Sequence, residues 1–438
     1  MKKRCLPLKW LILCLAWMPC SELVAQFSLS AEVRPRAEYR HGFKKLFDSA
    51  TDDPAFFVEQ RSRLKIDYRA EKFDLYVSMQ DVRIWGADRQ MYKPDPAIAH
   101  SFFAVHEAWG RYRFTPNTSL KLGRQELEYD NARFLGNLDW AQQARSHDAA
   151  VLVVRDSTRQ LHVGAAFNQD ANTPEYGKLL GTFYDQTGNY KTMQYAWYHK
   201  DFSHGRLSAL AFNNGVQAAD SSVQFSQTFG LLGSAETGGV KLGAEAYYQT
   251  GKDEAGNDLS AYLFSATAGF QIGKLGLTLG GDYVSGTALS AEAGSSHSFT
   301  PLYGTNHKFY GLMDYFYVGN GHAQAGKTVG LIDPFVKAQI GLGKKTTLMA
   351  HAHYFLSPVT IYQNPESLTG ELPAYLGTEI DLVFKTRMAP GVVLEGGYSQ
   401  LFATETMQAL KGGSPAAMQN WAWLMISFSP TLFTTEKN

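Results

Sequence analysis

What most constrains this chain is an alternation of apolar and polar side chains with period two, carried over segments of roughly 9–12 residues and repeated along the sequence. Successive side chains of a strand point to opposite faces, so each segment has one greasy and one wet face. In the stretch Gly239–Gln249, Val240, Leu242, Ala244, Ala246 and Tyr248 alternate with Lys241, Gly243, Glu245, Tyr247 and Gln249. Tyr262, Phe264, Ala266, Ala268 and Phe270 oppose Ser265, Thr267, Gly269 and Gln271. Leu348, Ala350, Ala352 and Tyr354 oppose Thr347, Met349, His351 and His353, and Ile380, Leu382 and Phe384 oppose Glu379, Asp381 and Lys385. Soluble strands run to about 5–6 residues, whereas a tilted strand that crosses a bilayer needs about 9–11. Segment length therefore predicts an all-β fold: a transmembrane antiparallel up-and-down β-barrel.

The connections alternate as well. Short turns fall near Ala70–Glu71, Thr115–Asn117, Asp156–Arg159, Ser203–Gly205, Ile272–Lys274, Gly343–Lys344 and Ala389–Gly391. Between them lie longer polar loops, roughly 41–56, 86–101, 127–147, 169–190, 251–258, 285–331, 357–374 and 403–417. Short periplasmic turns and long external loops are the rhythm of outer-membrane barrels. About nineteen extended segments can be traced, an odd number where single-chain bacterial barrels use an even one. Assigning Phe309–Tyr317 to a long external loop leaves about eighteen, with both termini periplasmic; the connection at 233–238 is the weakest point of this count. Trp109, Tyr129, Trp140, Tyr283, Trp421 and Trp423 near segment ends are expected in interfacial girdles.

The N-terminus reads as a secretory signal, with Lys2, Lys3 and Arg4 before an apolar stretch from Leu8 to Met18 and cleavage expected after Ala25. Residues 1–25 are thus assigned to the signal peptide and 26–438 to one barrel domain, since no linker or shift in composition divides them. Cys5, Cys14 and Cys20 all lie in the leader, so the mature chain has no thiol for a disulfide, a metal site or a nucleophile. Formal net charge is zero, which provides no bulk attraction to nucleic acid.

The chemistry lies in a distribution. Of 18 arginines, 15 fall between Arg34 and Arg159. Arg34 and Arg36 share a face with Glu32 and Glu38; Arg61 and Arg63 share one with Lys65 and Arg69; Arg111 and Arg113 repeat the pattern, and Arg83 belongs to the same early region. Guanidinium groups are costly against lipid, so the polar face should line the lumen, and rings of arginine are a device of anion-selective pores. The alternative is that these arginines pair with Glu32, Glu38, Asp67, Asp74, Asp81 and Glu107 and stiffen the wall.

The segment Gly123–Asp148, GRQELEYDNARFLGNLDWAQQARSHD, resembles the hallmark of the alginate export porin family. VEQRSRLKIDY at Val58–Tyr68, MQDVRIWG at Met79–Gly86, LGGDYVSGT at Leu279–Thr287 and LYGTNHKFYGLMDYF at Leu302–Phe316 resemble it in order. The Gly123 and His307–Phe316 blocks are the specific parts. This resemblance implies a monomeric, eighteen-stranded outer-membrane barrel with an arginine-lined, anion-selective lumen. Carried onto matching positions, it implies Arg124, Arg133 and Arg145 in the lumen, with Asp148 as a counter-charge.

The expected function is a passive outer-membrane channel for anionic solutes, acidic sugars or polyuronates among them, without cofactor. Its expected surroundings are outer-membrane lipid and lipopolysaccharide, after insertion by the barrel-assembly machinery. A lipase-like barrel enzyme would need a Ser–His pair with an orienting acid. Ser146-His147-Asp148 has the residue types, but neighbours on a strand alternate faces. A structural barrel would need a plugged lumen. His351 and His353 share a face; a metal site there is open, and plain lumen-facing polarity is the preferred reading.

Overall fold

The computed structural model describes residues 25–87, 102–169, 189–218, 220–318 and 321–435. The expected leader, save Ala25, and parts of three expected loops (86–101, 169–190 and 285–331) lie outside the described residues. Eighteen long antiparallel strands form one closed sheet. In chain order these are β1 (Gln26–His41), β2 (Ala55–Arg69), β3 (Phe73–Ile84), β4 (Phe102–Thr115), β5 (Thr118–Gln125), β6 (His147–Arg155), β7 (Arg159–Phe167), β8 (Thr192–Phe202) and β9 (Gly205–Gln217). They continue as β10 (Val223–Thr237), β11 (Val240–Lys252), β12 (Asp258–Ile272), β13 (Leu275–Val284), β14 (Leu331–Leu342), β15 (Thr346–Leu356), β16 (Tyr375–Ala389), β17 (Val392–Ala403) and β18 (Gln419–Phe428). Each pairs with its sequence neighbour, and β18 closes on β1, with Arg36 opposite Met425 and Arg40 opposite Trp421. The chain beyond Phe428 prolongs that seam, because Thr431–Thr434 forms a short strand (β19) that pairs with the start of β1.

The register explains why these segments are strands. In β11 and β12, Leu242 lies opposite Ala268 and Ala246 opposite Phe264 on the outer face, while Glu245 lies opposite Ser265 on the inner face. Leu75, Leu122, Phe229, Leu231, Leu242, Phe264, Leu382 and Leu424 are exposed, whereas Glu32, Arg34, Arg36, Arg61 and Asp74 are buried. This inversion of a soluble core is what lipid outside and polar groups inside require. Phe309–Tyr317 is not strand and lies within the loop between β13 and β14, as the loop rhythm predicts. The doubtful connection at 233–238 resolves into a hairpin turn at Gly238-Gly239, both with positive φ (57° and 79°), which suits the twist of paired strands. A five-residue connection at 218–222, between β9 and β10, was not anticipated because it is too short to stand out among the polar loops.

The aromatic expectation needs correction. Tyr283 does face outward, stacked on Tyr262 at 5.9 Å. Trp109 shares the inner face with Arg111, and Trp421 and Trp423 are buried inside the barrel, where Trp421 Nε1 donates to Glu38. Tyr129 and Trp140 belong to an inward-folded loop. The lipid-facing aromatics are instead Phe56, Phe103, Tyr354 and Phe402 toward the long-loop end and Phe73, Tyr112, Phe202 and Phe428 toward the turn end.

Two loops do not stay outside. The β5–β6 connection (residues 126–146) and the middle of the β13–β14 connection (residues 299–317) fold into the barrel, where Phe134, Leu135, Phe299, Tyr310, Met313, Tyr315 and Phe316 are buried together. They run alongside one another: Gly136 N donates to Tyr303 O at 2.7 Å and Thr305 N to Ala132 O at 2.8 Å. A Cβ on Gly304 would sit 2.2 Å from Arg133 O, so only glycine permits this approach. The two most specific sequence blocks are therefore two halves of one internal structure.

Candidate functional site

The lumen has a basic wall where β1, β2 and β3 meet the strap 137–143. On β1 and β2, Arg34 lies opposite Arg61 and Glu32 opposite Arg63, so side chains of alternating sign crowd one face. Arg61 is held by Glu32, its Nε at 2.8 Å, and Arg36 by Glu38 at 2.7 Å and Glu59 at 3.0 Å. The pairing alternative is thus realised, and Arg69–Asp67 extends it, while Arg83 pairs with Asp81 on the outer face. The remaining guanidinium capacity converges on the strap. Asp139 receives Arg34 at 3.2 Å, Arg61 at 2.9 Å and Arg63 at 3.5 Å, while Arg36 donates to Trp140 O at 2.7 Å and lies 4.3 Å over the Trp140 ring. Arg34, Arg36, Arg61 and Arg63 are at most 6% exposed, but the Asp139 side chain is 48% exposed. Three guanidinium groups thus reach one accessible carboxylate by charge-assisted contacts.

The other predicted arginines separate. Arg111 and Arg113 also face inward, nearer the turn end, and both bind Asp74 at 2.7 and 2.6 Å. Arg133 crosses the lumen inside the first loop. It is fully buried, makes a two-pronged contact with Asp282 (3.0 and 3.1 Å) and also binds Glu245 (3.1 Å) and Tyr310 OH (2.8 Å). Arg145 braces the two loops by donating to Gly304 O at 3.0 Å. Arg83 and Arg124 are corrections, since both lie on the outward face. Arg83 shares the parity of Asp81, Met79 and Leu75, and Arg124 that of Leu120 and Leu122. Arg124 forms an outward pair with Asp148 at 3.0 Å, so Asp148 is its counter-charge as the resemblance implied, but on the other face. His147 points inward to Tyr190 OH at 2.9 Å, so Ser146-His147-Asp148 splits across the wall and forms no triad.

Two cavities flank the inward loops. One, of about 360 Å³, is lined by four cations (Arg36, Arg40, Lys44, Arg145) against two carboxylates (Glu59, Asp314). The other, of about 1030 Å³ beside the turns at 203–204 and 238–239, is lined by five cations (Arg133, Arg206, Lys241, Lys308, Lys337) against three carboxylates (Asp201, Glu236, Glu245). Sequence reasoning missed Arg206 and the lysines because they are scattered singly rather than clustered. For Arg206, Lys241 and Lys337 parity on the polar faces was the available signal, whereas Lys308 lies in a short 3-10 turn of the second inward loop, where parity has no meaning.

At the long-loop end, the helix α1 (Glu405–Lys411) covers the second inward loop, and Lys411 Nζ donates to Gly321 O at 2.6 Å. Burial pulls the Lys411 ammonium down to about 7. His322 below it is buried against Phe316 and Tyr317, neither ring nitrogen has a hydrogen-bond partner among the described residues, and burial pushes its imidazole down to about 3. Both groups bind protons more weakly when this cap is docked than when it is free. Docking is therefore favoured above the free value of His322, near 6.5, and that contribution is lost as pH falls toward 3. Lys411 acts in the same sense between about 10.5 and 7. Moving from about pH 7.5 to about 4.5 should weaken docking by up to about 3 kcal/mol through His322. Deuterium uptake in peptides spanning 404–418, corrected for intrinsic exchange, should rise on acidification; His322→Phe should remove most of the rise, leaving the part that Lys411 contributes above about pH 7.

The sequence profile of the family described as Alginate export matches residues 25–419. No curated protein matches the sequence. Solved structures are similar in fold over almost the whole chain. OccK8 (OprE) of Pseudomonas aeruginosa has a TM-score of 0.60 at 9% identity, covering 93% of this chain and 98% of its own. OccAB1 of Acinetobacter baumannii has a TM-score of 0.60 at 11% identity, covering 93% and 97%. OccK2 (OpdF) of P. aeruginosa, solved in complex with glucuronate, has a TM-score of 0.58 at 14% identity, covering 93% and 97%.

Proposed function

The chain belongs to the alginate export family, and from that premise we propose that it selects anionic solutes, acidic saccharides and polyuronates foremost, for passive passage. Its barrel is an outer-membrane channel of the bacterial cell. The observation that carries the selectivity is the excess of cations over carboxylates in both lumen cavities, four against two and five against three. A permeating anion meets a favourable potential in each cavity, and a cation an unfavourable one. The Arg34–Arg61–Arg63 cluster supports a carboxylate-bearing solute in particular, since Asp139 occupies the position that a uronate carboxylate would take. The glucuronate held by OccK2, a protein alike in fold, is consistent with this class of solute. Export to the surface through a cleaved leader ending at Ala25 belongs to the same reading.

Chloride current through the purified channel in a planar bilayer tests the solute class. Oligouronates added on one side should block that current, with dissociation constants of about 1 mM or below, the weak regime that lets a permeating solute leave again. Neutral oligosaccharides of equal length should leave the current unchanged. Equal block by both would overturn the carboxylate assignment.

A further inference from the structure

The stretch of wall three strands before the arginine-bearing β1 carries a different chemistry. The pairing of β15 with β16 sets His351 opposite Asp381 and His353 opposite Glu379, all four on the inner face. One donor atom each from His351, His353 and Asp381 lies within 4.8 Å of the other two. Asp381 and Glu379 are 1% and 0% exposed, and Asp381 Oδ2 and Glu379 Oε2 have no hydrogen-bond partner among the described residues. Ser399 donates to the other Asp381 oxygen, and Met313 N donates to Glu379 Oε1 at 2.8 Å. Two buried carboxylate oxygens left in this way require a cation or a proton.

The surrounding charges decide the character of the site. Asp333 lies behind His353, its Oδ2 2.9 Å from His353 Nδ1, which holds the proton on Nδ1 and leaves Nε2 for a ligand. Asp282, opposite Asp333, is already taken by Arg133. Lys337 lies opposite His351 and opposes a second cation, but its ammonium donates to Lys308 O at 3.2 Å. His307 is occupied by Asp314.

We propose that His351, His353 and Asp381 bind one first-row divalent cation of the zinc type, with Glu379 as a fourth ligand or as acceptor for a metal-bound water. Two imidazoles with one carboxylate suit zinc or copper, whereas calcium and magnesium take oxygen sets. Tetrahedral bonds of about 2.0–2.1 Å need donors about 3.4 Å apart, a separation that small side-chain rotations reach. The ion neutralises Asp381 and Glu379. Through the Glu379–Met313 bond it also stiffens the second inward loop.

The test uses the tag-free, detergent-folded mature chain stripped with chelator, titrated with Zn²⁺ by calorimetry near neutral pH. One ion per chain is expected, unaffected by millimolar Ca²⁺ or Mg²⁺. His351→Ala and Asp381→Asn should each weaken binding by about tenfold or more, while His297→Ala on an exposed loop should not. Independently of any variant, electron paramagnetic resonance of the wild-type chain loaded with Cu²⁺ should show hyperfine coupling to two nitrogens. Absence of binding, as expected of a proton shared by Glu379 and Asp381, would overturn the proposal. So would unaltered binding by a folded His351→Ala, or an oxygen-only copper spectrum.

Discussion

Arg133→Ala should free both inward loops and raise single-channel conductance severalfold while the barrel stays folded. The guanidinium is the one cation that Asp282 and Glu245 contact as ion pairs among the described residues, and it is fully buried with Asp282, while the Glu245 side chain is 9% exposed. Removing it leaves the buried Asp282 carboxylate and the mostly covered Glu245 uncompensated, and breaking a buried pair in this way costs about 3–5 kcal/mol. The loss falls on loop docking, because Arg133 is in the loop while Asp282 and Glu245 are on strands held by their own ladders. Phe309 and Tyr310 of the second loop, which pack against the guanidinium at 4.0 and 5.5 Å, lose that contact as well. Heat-modifiable migration in gel electrophoresis should persist, and bilayer recordings should show larger, noisier openings. Arg133→Lys should behave in between, since an ammonium cannot make the two-pronged contact. Unchanged conductance in Arg133→Ala would mean that the loops are held by their apolar packing alone.

Asp139→Ala should act on selectivity rather than on the obstruction. The strap keeps its backbone acceptors for Arg34, Arg36 and Arg61, so it should remain in place. Three guanidiniums would lose a shared carboxylate. A hydrogen bond to a charged group contributes about 1.5–3 kcal/mol, so a uronate that replaces Asp139 should bind about tenfold more tightly, measured as a lower concentration for half-block of chloride current. Weaker block in the variant would show that Asp139 guides the solute instead of standing in its place.

How much of this was legible in the chain differs from residue to residue. The strands were legible because lipid on one side and polar groups on the other force a two-residue period, and Val240–Gln249 or Leu348–Tyr354 show it without ambiguity. The number eighteen followed once Phe309–Tyr317 was placed in a loop, since alternating short and long connections leave room for no other parity. The faces of Arg83 and Arg124 were also written in parity. Lys121, Gly123 and Gln125 point inward, so Arg124 between them points outward. Near a strand end an outward arginine reaches polar surroundings and costs little, so its charge alone was a misleading guide. Trp421 and Trp423 misled in the opposite sense: tryptophan is common at membrane interfaces, yet here the rings pack with Trp140 at 5.8 and 4.8 Å inside the lumen.

The inward course of residues 126–146 and 299–317 was not legible, because nothing local distinguishes a loop that folds into a barrel from one that rises above it. The contacts that hold it, such as Arg133 with Asp282 and Gly136 with Tyr303, join residues more than a hundred positions apart. The same holds for Asp381 beside His351 and His353, which only the register of β15 on β16 reveals.

The central claim is that the lumen is net positive to a passing ion. Its most direct test is the zero-current potential of the wild-type channel in a planar bilayer under an about tenfold KCl gradient. An excess of chloride permeation will make the dilute side negative, and this is the expected result. A positive dilute side, meaning that potassium passes preferentially, would contradict the account.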